Sequence, residues 1–218
     1  NYSEEYDFIL IAQWDGYGSN LVPCLREYGC TIVYWAFDYQ AVGQLWHETL
    51  VQDVDIYLSK PWSDRKYPNW QWLPQDFAPS FLDLPHERQK KEFEVLFTGS
   101  YLPWATERIE YLRAVDKMFD LSIFSFTPDD WKREGFKNVY GPVMDEGLPK
   151  LIGKAKVNLS IDHTIAPGYW SDRCAQIMAC GGFVMHKYQP GAELVFRNNV
   201  TYFHDEDSML KGIKYFLD

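Results

Sequence analysis

Apolar residues fall in short unbroken runs that alternate with stretches of helical spacing. Residues 6–13 (YDFILIAQ) and 30–37 (CTIVYWAF) are continuous apolar runs, so they predict strands buried on both faces. A helix from Ser19 through Glu27, closed by Gly29, lies between them. Residues 41–51 predict a second helix and 55–59 a third strand. Residues 61–67 read as loop and 70–73 as a fourth short strand. Residues 74–92 then break the rhythm with Pro74, Pro79, Pro85 and a charged run. This stretch reads as a linker between two lobes, 1–85 and 86–218; a surface loop within one domain is the alternative.

The alternation restarts after it. Strands are predicted at 93–98, 121–125, 139–140, 155–161, 183–186 and 201–203. Helices are predicted at 106–118, with Ile109, Leu112 and Val115 inward, and at 129–134, 146–153 and 171–180. Glu193 falls in a short helical turn, and the last helix, 205–217, turns Met209, Ile213 and Phe216 inward. Strands alternating with helices predict α/β architecture: two Rossmann-like lobes with parallel sheets, the first lobe short. In such sheets ligands sit beyond the carboxyl ends of the strands.

One stretch concentrates candidate chemistry: Ser171-Asp-Arg-Cys-Ala-Gln-Ile-Met-Ala-Cys-Gly-Gly182. Ser171 is the expected N-cap, its hydroxyl taking up a free backbone N–H. Asp172 suits the positive end of the helix dipole. Cys174, Ile177 and Met178 form the expected buried stripe, while Arg173 and Gln176 share a polar face. Free N–H groups beside an arginine make an anion site suited to phosphate. An ordinary helix with a surface arginine is the competing reading.

Composition narrows the partners. Of 218 residues, 46% are hydrophobic, enough for a sizeable core. A formal net charge of -10 disfavours nucleic acid as a partner but leaves room for a single nucleotide. No apolar run is long enough to span a membrane, and no signal-peptide pattern opens the sequence. The four cysteines form no C-x-x-C pair and read as reduced, buried thiols of a cytosolic protein.

The residues of the second lobe resemble the nucleotide-sugar glycosyltransferases of the GT-B fold, especially the CgeB-like, spore-maturation-type group. The resemblance rests on Leu96-Phe-Thr-Gly-Ser-Tyr101, Ala155-Lys-Val-Asn-Leu-Ser160, the 171–182 stretch, Pro190-Gly-Ala-Glu-Leu-Val-Phe196 and Tyr202-Phe-His-Asp205. The first lobe matches loosely, through Trp35-Ala-Phe-Asp38 and Trp72-Leu-Pro-Gln75. The resemblance implies a nucleotide-diphosphate sugar as substrate; the acceptor is unknown (glycan, protein or small molecule), and transfer with no cofactor and no metal is the expectation. The resemblance also implies Gly99 and Ser100 near the diphosphate, Tyr140, Gly141 and Pro142 near the base, Arg173 on the diphosphate, Gln176 near the ribose and Glu193 near sugar or phosphate. Many retaining members carry two glutamates seven residues apart across this region; here the matching places hold Gly168 and Gln176.

Transfer to an acceptor hydroxyl by inversion needs a general base. Asp15, in the glycine loop after the first strand, is the first candidate and Asp38 the second; a capping or turn role is the alternative for each. His163, in the loop before the arginine helix, is a candidate for phosphate contact or acid, or else a surface histidine. No group has zinc spacing, and neither G-x-x-x-x-G-K-[ST] nor G-x-S-x-G occurs. A non-catalytic nucleotide or glycan binder of the same fold is the rival. A Rossmann oxidoreductase lacks its third glycine after Gly16-Tyr-Gly18.

Overall fold

The computed structural model describes residues 6–12, 21–36, 45–74 and 89–218. They form two compact units, Asn1–Gln75 with Ala166–Trp170, and Asp76–Ile165 with Ser171–Asp218.

The first unit is a four-stranded parallel sheet in chain order. It comprises β1 (Phe8–Ala12), β2 (Thr31–Ala36), β3 (Ile56–Ser59) and β4 (Trp70–Trp72), with α1 (Leu21–Arg26) and α2 (Leu45–Asp53) as crossovers. A 3-10 turn, Trp62–Lys66, occupies the expected loop before β4. Ile11, Val22, Ile32, Tyr34, Val51 and Tyr57 build the core, and the Tyr34 and Tyr57 rings stack 5.6 Å apart. The Asp55 carboxylate accepts the Ile32 N–H and the Arg26 guanidinium, which together hold it below the usual carboxylate range. It is therefore a structural clip on this sheet. β1 departs from expectation. Phe8 and Leu10, on one face of β1, are about half exposed, whereas Ile11 on the other face is buried; among the described residues β1 lies at the edge of the sheet. An apolar run marks a strand but not its place in the sheet.

In the second unit, six parallel strands take the order β10-β9-β8-β5-β6-β7. They are β5 (Phe93–Thr98), β6 (Leu121–Phe124), β7 (Asn138–Tyr140), β8 (Ala155–Ser160), β9 (Val184–Lys187) and β10 (Thr201–Phe203). Their crossovers and closing helix are α3 (Thr106–Met118), α4 (Pro128–Arg133), α5 (Gly147–Gly153), α6 (Arg173–Ala179), α7 (Ala192–Phe196) and α8 (Glu206–Leu217). Connections run outward from β5 in one direction and from β8 in the other, so the sheet reverses direction between these two neighbours. That is the topological switch point, where an open α/β sheet leaves a crevice.

Ile109, Leu112 and Val115 of α3 are buried as their spacing predicts, as are Met209 and Ile213 of α8. Phe216 is 39% exposed and rests its ring 4.4 Å from that of Phe183. Asp205 accepts the Ser208 N–H at 2.7 Å in a capping box, so the acids here serve the helix start. Trp131 is fully buried against Phe97, Tyr101 and Phe136, and its Nε1–H donates to the Gly99 carbonyl at 3.1 Å. It anchors the exit of β5. The cysteines divide: Cys174 and Cys180 are buried, whereas Cys24 is exposed, which corrects the expectation of four buried thiols. Among the described residues no helix is long and apolar enough to cross a membrane.

Candidate functional site

Where β5 and β8 part, their last carbonyls would point into the crevice without partners. Arg173 supplies them. Its Nε–H donates to the Thr98 carbonyl at 2.6 Å and its Nη1 to the Ile161 carbonyl at 3.1 Å. The guanidinium lies over the Phe97 ring, 4.9 Å from the centroid, and its side chain is 13% exposed. One cation thus ties together the two strand ends that define the switch point. Nη2 has no hydrogen-bond partner among the described residues. It lies so close to Gly99 that a Cβ at that position would stand 2.8 Å from it and 3.0 Å from the Phe97 ring. Glycine at 99 makes room for the free end of the guanidinium.

Behind the arginine sits a buried polar network. The Asp162 side chain is fully buried and accepts the Ser171 N–H at 3.0 Å, the Ser171 hydroxyl at 2.6 Å and the Gln189 amide at 3.4 Å. Ser171 was the expected N-cap; instead Asp172 holds that position, with no side-chain cap bond, and the Ser171 hydroxyl donates to Asp162. A buried carboxylate needs donors more than an open helix end does, because water can still reach the latter. His186 is also fully buried, its Nε2 3.9 Å from Asp162. Burial lowers its pKa, and the opposing pull of Asp162 is the smaller effect, so the imidazole is neutral and the pair is no salt bridge. Nδ1 lies 3.1 Å from the Ser160 carbonyl, which can only accept, so Nδ1 carries the proton. Burial likewise pushes the Cys174 thiol up, leaving it unreactive.

In front of the arginine a pocket of about 370 Å³ opens. Thr98, Gly99 and Ser100 line it after β5, and Phe124, Ser125 and Phe126 at the end of β6. Pro142 to Asp145 and Leu148 close the side beyond β7, and Asp172, Arg173 and Gln176 present one end of α6. The Gln176 amide donates to the Asp172 carboxylate at 2.5 Å, which fixes both side chains one helical turn apart.

Of the residues expected in a binding site, Gly99, Ser100, Pro142, Arg173 and Gln176 therefore meet in one pocket. Tyr140 and Gly141 precede its wall without lining it; the Tyr140 ring stacks on Phe124 at 4.8 Å. Ser171 is turned onto Asp162, and His163 lies in the β8–α6 connection outside the pocket lining. Glu193 is exposed, and its carboxylate accepts the Gly191 N–H at 2.9 Å, locally at the start of α7. Asp15 and Asp38 lie outside the described residues. Asp172, expected as a helix-end acid, lines the pocket, as do Phe126 and Asp145, and Asp162 stands behind it; the pattern of residues singles out none of these three for the site. Asp162, directly after a strand at its carboxyl end, was the one with a readable signal.

Gly168 belongs to the first unit, in the segment Ala166–Trp170. Its φ is +78°, and a Cβ there would stand 2.3 Å from the Trp62 ring. No carboxylate-bearing residue fits that position.

A family model described as glycosyl transferase-like matches residues 85–218. No curated protein matches the chain in sequence. Among solved structures, an alpha1,3-fucosyltransferase superposes with a TM-score of 0.63 at 12% identity, covering 99% of this chain and 67% of that one. OtsA superposes at 0.61 and 12% identity, covering 98% and 66%. A T4 phage BGT in complex with UDP and Mn2+ superposes at 0.56 and 11%, covering 96% and 72%. At these identities the likeness is one of fold, the two-sheet GT-B architecture. The chain spans about two thirds of the fucosyltransferase's length.

Proposed function

We propose, for a chain that belongs to the glycosyl transferase-like family, that it moves a sugar from a nucleoside-diphosphate donor to an acceptor hydroxyl without a metal ion. The observation that carries this reading is the Arg173 guanidinium, held by two strand-end carbonyls with Nη2 free beside Gly99 in the pocket. In the transfer, the acceptor oxygen bonds to the anomeric carbon while the bond from that carbon to the diphosphate breaks. The electron pair leaves with the diphosphate, whose negative charge grows. A cation already fixed in place stabilises that charge without reorganising. Ser100 and Gln176, in the same pocket, are suited to phosphate and ribose oxygens.

The acceptor's proton needs a base. With Gly168 unable to carry a carboxylate and a neutral amide at Gln176, the reading assigns it to Asp15, with Asp38 second. Residues 1–85 would serve the acceptor and 86–218 the donor. Within this reading the chain falls in the CgeB-like group that its second lobe resembles. The same absence of a carboxylate favours the rival, a nucleotide or glycan binder with no turnover.

Release of nucleoside diphosphate from a panel of sugar nucleotides, with and without EDTA, separates the two. Release that persists in EDTA supports the transferase, since such enzymes leak sugar to water. Binding with no release supports the binder, and release abolished by EDTA removes the metal-free part.

A further inference from the structure

Resting on the donor reading above, we propose that the nucleotide is a guanosine diphosphate and that Asp145 selects the base. The pocket holds one guanidinium and two carboxylates, Asp172 and Asp145. Carboxylates repel a diphosphate, so each is either held by the protein or meets another part of the ligand. Asp172 is engaged by the Gln176 amide beside the arginine. The Asp145 carboxylate has no hydrogen-bond partner among the described residues and stands on the pocket wall beyond β7.

Arg173 ties the ends of β5 and β8 at the pocket, and Asp145, in the β7–α5 connection, lines the same pocket together with Val143 and Met144. Phe126, 62% exposed, also lines it and offers a ring on which a base can stack.

A carboxylate discriminates sharply among base edges because it only accepts. Guanine presents N1–H and the exocyclic amino group side by side, two donors for two oxygens. Uracil flanks its single N3–H with two carbonyls that repel the carboxylate. Adenine and cytosine each set an acceptor nitrogen beside their amino group. Only guanine matches both oxygens.

The test titrates GDP, XDP, UDP and ADP into the full chain and into Asp145→Asn by calorimetry. Asp145 has a φ of +49°, a left-handed conformation that asparagine also tolerates, so the exchange keeps the backbone. Wild type should bind GDP at least tenfold more tightly than UDP or ADP. The variant should lose roughly tenfold to a hundredfold in GDP affinity. It should also gain affinity for XDP, whose C2 carbonyl accepts from the asparagine amide. UDP or ADP binding wild type as tightly as GDP overturns the inference while leaving the donor reading intact. So does a folded variant that keeps its GDP affinity. If no nucleoside diphosphate binds wild type, the donor reading itself falls and this inference with it.

Discussion

Replacing Arg173 with alanine removes two interactions that can be measured separately. The first is structural, because Nε and Nη1 hold the Thr98 and Ile161 carbonyls at 2.6 and 3.1 Å. A hydrogen bond to a charged group contributes about 1.5–3 kcal/mol. The arginine borders an open pocket, so water can reach the freed carbonyls and restore part of that; a net loss of roughly 2–4 kcal/mol is expected. At about 2–4 °C per kcal/mol for a chain of this size, Tm should fall by roughly 4–16 °C. The second is the free Nη2, available for one charge-assisted bond to a phosphate oxygen. Losing it should weaken nucleoside-diphosphate binding by roughly 10- to 150-fold. Calorimetric titration gives the second number, and thermal unfolding by circular dichroism gives the first and verifies the fold. Arg173→Lys should recover only part of either, since one ammonium cannot bridge both carbonyls and still reach the ligand. A folded alanine variant with Kd within about twofold of wild type would refute the anion-site reasoning. An unchanged Tm would refute the clamp.

Three further outcomes are expected. Gly99→Ala places a Cβ 2.8 Å from Nη2 and 3.0 Å from the Phe97 ring, so diphosphate affinity should drop while the far-UV spectrum stays native; equal affinity would show that the guanidinium end is not used. His186, buried and neutral, has a folded pKa below its unfolded value, so the unfolded chain binds the proton first as pH falls. Its contribution to stability is full above about pH 6.5 and is lost as pH drops toward the folded pKa; scanning calorimetry should show His186→Gln with a shallower decline in that window, and an identical decline would sink the assignment. Gly168→Glu, meant to restore the missing carboxylate, should lower Tm and gain no turnover, because the left-handed backbone and the Trp62 ring 2.3 Å away exclude it. A gain of turnover would overturn that account.

Much of the architecture was legible from residue order. Short apolar runs alternating with helical periods force parallel strands with crossover helices, and the inward residues of the helix at 106–118 follow from spacing alone. The arginine stood out because it follows a strand and a loop, at the start of a helix. What periodicity does not encode is which strand lies at an edge or which side chain meets which across the sheet. Phe8 and Leu10 read as core and are half exposed, since only the assembled unit decides which face of β1 is covered. Ser171 read as a cap and serves Asp162, a partner nine residues away that burial turned into the stronger acceptor. Asp145 is not singled out by the pattern of residues, and joins the arginine's pocket only because the fold brings the β7–α5 connection beside the end of β5. Local chemistry along the chain determined the elements and the cation. The convergence of that cation with the ends of β5 and β6 and the connection after β7 was decided by the tertiary fold, because long-range packing alone sets strand order.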